Sequence, residues 1–141
     1  MLVDSNIIID AAQPTHSQLR RFIAEHVPAV SAISYVEVLG YHQLDDQDRQ
    51  YFEQFFRRSG VFPLSQAVLD QAVALRQQRR MSLGDALIAG TALAHDLKLV
   101  TRNVEDFHWI HGLSLFNPFE AEPRPEQEQQ GEDEGKMNDA R

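Results

Sequence analysis

Five side chains carry oxygen donors at positions where they can work together. Asp4 follows the apolar pair Leu2-Val3. Glu37 closes Ser34-Tyr35-Val36-Glu37, and Asp85 closes Ser82-Leu83-Gly84-Asp85. Asn103 and Asp106 lie in Thr101-Arg102-Asn103-Val104-Glu105-Asp106. Carboxylates gathered in one crevice repel one another, and without a counterion some hold protons at raised pKa. A divalent cation removes that penalty. Mg²⁺ takes oxygen ligands in an octahedron and keeps several waters, so a few carboxylates suffice. Such an ion lowers the pKa of a water and stabilises charge on a phosphodiester. Each acid also has a plainer reading. Ser34 to Glu37 and Ser82 to Asp85 both fit the capping box, a serine followed three residues later by an acid. Asp4 or Ser5 fits the N-cap of a helix starting near Asn6, and Asp106 fits an ordinary turn. Capping and metal binding are compatible, because a carboxylate has more than one acceptor site. The six histidines are scattered without ligand spacing and read as surface or core residues.

The elements that must position these groups follow from hydrophobic periodicity. Short β-rich runs predict strands at 2–3, 29–31, 61–62, 99–100 and 113–116. Apolar residues at helical spacing predict helices over 17–25, 34–41, 46–57, 67–78 and 83–94, the last nearly apolar throughout and so buried. Strands alternating with helices favour parallel pairing with helices on both faces. Functional crevices in such sheets lie beyond the carboxyl ends of the strands. Asp4 and residues 103–106 must then emerge at one edge. Helices that follow strands begin there too, which brings in Glu37, expected in the first turn of its helix. Asp85 follows a helix, so it joins only if the connection 78–82 returns the chain to that edge.

The chain has 141 residues, enough for one domain with a real core. No apolar run approaches the roughly 18–20 residues that span a bilayer, and the N-terminus lacks the charged leader of a signal peptide. Cysteine is absent, which excludes disulfides and thiolate metal sites and fits a cytoplasmic protein. The net charge of −8 runs against the basic footprint of most nucleic-acid binders. It is uneven, since residues 120–141 hold −5 and residues 1–119 only −3. The expected organisation is a folded domain over 1–119 and a disordered acidic tail over 120–141. The tail reads as a solubilising extension; competition with RNA for arginines is the other reading. Candidate phosphate contacts are Arg20-Arg21, Arg57-Arg58, and Arg76 with Arg79-Arg80. The last group precedes Asp85 and ranks first, although a solvated basic helix end explains it equally well.

Four motifs in order resemble the PIN-domain ribonucleases, especially the VapC-type toxins of bacterial toxin–antitoxin pairs. They are Leu2-Val3-Asp4-Ser5-Asn6, then Ser34-Tyr35-Val36-Glu37-Val38-Leu39, then Gly84-Asp85-Ala86-Leu87-Ile88-Ala89-Gly90-Thr91-Ala92, then Leu99-Val100-Thr101-Arg102-Asn103. Phe116-Asn117-Pro118-Phe119 is similar to the usual end of the domain. The resemblance implies a three-layer α/β/α sandwich around a parallel sheet of four to five strands. It implies an acidic cluster binding Mg²⁺ or Mn²⁺, with Asp4, Glu37 and Asp85 at the first three acidic positions. Asn103 stands at the fourth, where Asp is frequent, and Asp106 is the candidate to supply the missing charge through water. Ser5 and Thr101 match hydroxyl positions beside the site, and Asn6 matches a position that braces the first turn. The implied function is a metal-dependent endoribonuclease, the toxin of a pair, with a VapB-like antitoxin and a homodimeric state. Tyr51, Phe52, Phe55 and Phe56 read either as a dimer face or as core. A catalytically weak module that binds only an antitoxin or operator complex is the rival reading. A phosphatase or DNA nuclease using the same cluster is a third.

Overall fold

Leu2 and Val3 are fully buried, because the strand they form, β1 (Leu2–Val3), has neighbours on both sides. It pairs in parallel with β2 (Ala29–Ser31) and with β4 (Leu99–Val100). Strand β2 pairs with β3 (Val61–Phe62), and β4 with β5 (Leu115–Phe116), all in parallel. The computed structural model describes residues 1–120. Its sheet has five strands in the order β3-β2-β1-β4-β5, at the upper end of the expected four to five. The expected acidic tail lies outside the described residues, apart from Glu120.

Side chains alternate across a strand, and here that alternation divides the core. Val3, Val30 and Val100 face one cluster, with Ile7, Ile8, Leu19, Phe52, Phe55 and Phe56. Leu2 and Leu99 face the other, with Leu75, Ile88, Ala92 and Phe107. The first layer holds α1 (Ser5–Ala11), α2 (Ser17–His26) and α4 (Asp46–Arg58); the second holds α5 (Gln66–Gln78), α6 (Leu83–Ala94) and the short α7 (Val104–Phe107). Helix α3 (Ala32–Leu39) serves both, sending Val38 to the first cluster and packing Ile33 on the second. This is the α/β/α sandwich anticipated. Three of the four aromatics on α4 are buried, which accounts for them as core. The helix is further set by an Asp45 cap on the Asp48 N–H at 2.8 Å, and by Arg57 and Arg58 in its last turn. Among the described residues no helix is long and apolar enough to cross a membrane.

Three local expectations need correction. Helix α3 starts at Ala32, because Ser31 caps it by accepting from the Ile33 N–H at 3.3 Å. Ser34 is therefore inside the helix, its capping box with Glu37 does not form, and Glu37 falls in the second turn. The turn expected at Asp106 is a turn of helix, α7. Strand β5 is shorter than expected; Gly112, with φ of 84°, turns the chain before it.

Helices α5 and α6 pack unusually close at Gly90. A Cβ placed there would stand 2.9 Å from the Val68 carbonyl oxygen and 3.2 Å from the Ala72 nitrogen, both backbone atoms that cannot swing aside. Replacing a mid-helix glycine by alanine ordinarily stabilises by about 1 kcal/mol. Gly90→Ala is expected instead to destabilise by roughly 1–3 kcal/mol through overpacking, read as a lowered midpoint in urea unfolding. A raised midpoint would show that the contact is loose.

Candidate metal and phosphate site

The chain winds outward from β1 to β2 and β3, then crosses back to β4 and β5. Its winding direction therefore reverses between β1 and β4, and the crevice at such a reversal is where ligands bind in open α/β sheets. Asp4 leaves β1 at this point and Thr101 leaves β4 beside it. The Asp4 N–H donates to the Val100 carbonyl at 2.9 Å, and the Thr101 hydroxyl donates to Asp4 Oδ2 at 2.8 Å. The Asn103 N–H donates in turn to Thr101 Oγ1 at 3.0 Å. Asn103 thus joins the site through its backbone, at the N-cap of α7, with an exposed side chain. Asp4 occupies the N-cap position of α1 without making a side-chain capping bond, so its carboxylate is not committed to the helix.

Glu37 is anchored from the neighbouring strand. The Ser5 hydroxyl lies 2.6 Å from Glu37 Oε1 and 2.7 Å from Ser34 Oγ. Ser5 has one proton to give; donated to the carboxylate, it leaves Ser34 to donate back to Ser5. Gly84 supplies the remaining space. A Cβ built on it would fall 3.2 Å from Glu37 Cδ and overlap Oε2, so only glycine lets Glu37 lie against the first turn of α6. Asp85 is the next residue in that turn. The 78–82 connection therefore does return the chain to the edge where Asp4 emerges. Arg76 helps by donating from Nε to the Met81 carbonyl at 3.3 Å. Ser82 caps α6 by accepting from the Asp85 N–H at 3.1 Å, which places the Asp85 side chain without consuming it.

The electrostatics report the convergence. Asp4 is only 3% exposed, and its pKa is pushed up to about 6 from 3.8. Burial is the main cause; the Thr101 hydrogen bond works against it, and the charges of Asp85 and Glu37 add to it. Asp85 is also pushed up, first by burial, then by the charge of Asp106, with Ser82 opposing and Glu37 adding. Asp4 and Asp85 therefore both feel the charges of neighbouring acids. Among the described residues the single ion pair is Arg102 with Asp10, at 3.5 Å, so no side-chain cation neutralises any of the four. A buried carboxylate, Asp4, beside the half-buried Asp85 and the exposed Glu37 and Asp106, none in an ion pair among the described residues, presents hard oxygen donors that fit Mg²⁺ or Mn²⁺. Among the described residues, however, no three acid or histidine side chains converge closely enough to enclose an ion unaided. Of the two expected arms, direct or through water, this spacing favours the second for at least part of the set.

A cleft of about 340 Å³ opens beside the acids, and Asp85 and Asp106 share its lining with Arg79, Arg80 and Trp109. Arg79 and Arg80 thus reach the site, whereas Arg76 braces the connection. A cavity of about 360 Å³ between α2 and α4 is more apolar; Arg20 and Arg58 line it, and none of the four acids does. Sequence reasoning missed Ser34 as a partner of Ser5, because its spacing to Glu37 imitated a cap. It also missed Trp109, which carries no spacing signal. Ser5 and Thr101, expected beside water or phosphate, bond directly to the carboxylates.

A family model described as PIN domain matches residues 1–109. Among solved structures, the chain is similar to a toxin-antitoxin complex from Klebsiella pneumoniae, with 32% identity and a TM-score of 0.67 over 83% of this chain and 96% of that one. It shares its fold with VapBC2 from Rickettsia felis bound to a DNA fragment from their promoter, at 23% identity and a TM-score of 0.69 over 82% and 96% of the two chains. DNA-bound VapBC from Salmonella typhimurium gives 19% identity and a TM-score of 0.70 over 82% and 95%. No curated protein matches.

The raised pKa of Asp4 makes a signed prediction. Between pH 3.8 and about 6 the folded chain retains a proton that the unfolded chain has lost. Metal-free stability must then fall as pH rises through that window, by on the order of 3 kcal/mol. The shift at Asp85 has the same sign. Thermal unfolding in EDTA should show Tm falling between pH 4 and 6.5, and Asp4→Asn should raise Tm at pH 7. Mg²⁺ should raise the wild-type Tm at pH 7 more than that of the variant. A metal-free Tm that rises with pH across the window would contradict the assignment.

Proposed function

Since this chain belongs to the PIN-domain family, we propose that it is a metal-dependent endoribonuclease, the toxin of a toxin–antitoxin pair. The single observation that carries the reading is the set of Asp4, Glu37, Asp85 and Asp106 around the β1/β4 crevice, none of them in an ion pair among the described residues. PIN domains are generally nucleases, and the site's chemistry suits that. Asp4, Glu37 and Asp85 would hold the ion, directly or through ordered water, with Asp106 adding charge from α7. A bound Mg²⁺ or Mn²⁺ would polarise the phosphodiester and make water nucleophilic at neutral pH.

The chain's own groups orient the parts. Thr101 fixes one oxygen of Asp4 and leaves the other for a ligand. Ser5, itself backed by Ser34, fixes one oxygen of Glu37 in the same way. Asp4 is buried, so its negative charge acts in a low dielectric. Arg79 and Arg80 offer phosphate contacts in the same cleft as Asp85 and Asp106. RNA rather than DNA is the proposed substrate on the family resemblance. An antitoxin partner of VapB type belongs to the same proposal, supported by the toxin-antitoxin complex from Klebsiella pneumoniae among its relatives; a homodimer is proposed on the family resemblance alone.

One observation favours a second reading. The fourth family position is Asn103, which enters the site by its backbone amide and brings no charge. A weak or silent domain that only binds an antitoxin or operator complex would show this feature. The two readings separate in a cleavage assay. The endoribonuclease cuts single-stranded RNA in Mg²⁺ or Mn²⁺ and stops in EDTA. Asp4→Ala and Asp85→Asn should bring cleavage to background while far-UV circular dichroism stays unchanged. Full cleavage by folded Asp4→Ala would remove the acids from the mechanism, and RNA left intact by the wild type at every metal concentration would leave the binding module.

A further inference from the structure

The basic wall of the cleft has a structure of its own. The Arg79 guanidinium carbon stands 4.9 Å from the centre of the Trp109 ring, within the range of a cation–π contact. The indole N–H is already used, donating to the Asp106 carbonyl at 3.0 Å. Trp109 is therefore tied at its edge to the short helix that carries Asp106, and turns a π face to the arginine. Its body is partly buried against the second core cluster. A rigid ring thus holds a mobile side chain in place.

The charges in this cleft do not cancel. Asp85, Glu105 and Asp106 share it with Arg79 and Arg80, yet the only ion pair among the described residues is Arg102 with Asp10. Guanidinium and carboxylate groups thus line one cleft without pairing. A ligand that satisfies both kinds of group is positive at one end and negative at the other. A divalent ion with a polyphosphate chain has that character.

We propose that Trp109 positions Arg79 as a phosphate-gripping subsite, which takes the RNA phosphate next to the one at the acids. This rests on the endoribonuclease reading and adds a residue and a role to it. A guanidinium is planar, so it stacks on the indole by its face and still presents N–H donors to a phosphate at its edge. An ammonium cannot do both. Stacking beforehand also lowers the ordering cost when phosphate arrives. Arg76 is excluded from this role by its bond to the Met81 carbonyl.

The chain has one tryptophan, so its emission reads the subsite directly. The experiment titrates a short fluorescein-labelled single-stranded RNA into Asp4→Asn protein with Mg²⁺, following anisotropy, and repeats it with unlabelled RNA, following Trp109 emission. RNA should change that emission. In this background Arg79→Gln should weaken binding about tenfold and flatten the salt dependence by about one unit of slope. Trp109→Leu should weaken it comparably, and the double variant should be no weaker than Arg79→Gln alone. Arg79→Lys should retain the salt slope without recovering the affinity. Trp109→Phe keeps a ring face and should fall between wild type and Trp109→Leu, which keeps the test open if the leucine variant folds poorly. Losses that add in the double variant would overturn the positioning role, since Trp109 would then act on RNA by itself. Binding unaffected by either change overturns this inference alone. An RNA that the Asp4→Asn protein and the wild type both fail to bind overturns the endoribonuclease reading and this inference with it.

Discussion

A buried carboxylate with no cation beside it is the constraint on which the rest of the structure turns. Asp4 is almost wholly enclosed, and taking a carboxylate out of water is costly unless it is paired or protonated. The fold gives it hydrogen bonds from the Thr101 hydroxyl and the Ser5 backbone, and surrounds it with further acids that raise the cost. Such a centre is poorly designed as a stabilising element. It is well designed as a receptor for positive charge, because a divalent ion converts every one of those repulsions into an attraction.

The scaffold delivers the acids by economical means. Strands of two or three residues suffice because β1 lies at the centre and both faces of the sheet are covered by helices. The reversal of winding between β1 and β4 brings chain ends about a hundred residues apart into one hydrogen-bonded contact, Asp4 with Thr101. Hydroxyl groups then aim the carboxylates: Thr101 on Asp4, and Ser5 backed by Ser34 on Glu37. Gly84 leaves the space in which Glu37 and the first turn of α6 meet. Arg79 and Arg80 complete a cleft that carries both charges without an ion pair.

Much of this was legible in the residues. Two-residue apolar runs alternating with helical periodicity pointed to the parallel sandwich, and an acid directly after a strand can only emerge at one edge. Asp4 and the 101–106 segment were placed by that rule. Asp85 was not, because a loop's return path depends on packing such as the close approach at Gly90, which periodicity does not encode. Glu37 was assigned to the wrong helical turn for a related reason. Ser34, with Glu37 three residues on, has the spacing of a capping box and Ser31 does not, yet Ser31 caps the helix and Ser34 is buried against Ser5. Trp109 was invisible, since a lone aromatic near a chain's end reads as core until an arginine is seen stacked on it.

The central claim is that these acids form a receptor for a divalent ion, and calorimetric titration with Mn²⁺ at pH 6 tests it most directly. Near the pKa of Asp4 the account predicts saturable binding accompanied by proton release, seen as a heat that varies with the ionisation enthalpy of the buffer, and lost in Asp4→Asn. Absence of binding by the folded wild-type protein, or binding that Asp4→Asn leaves intact, would contradict it.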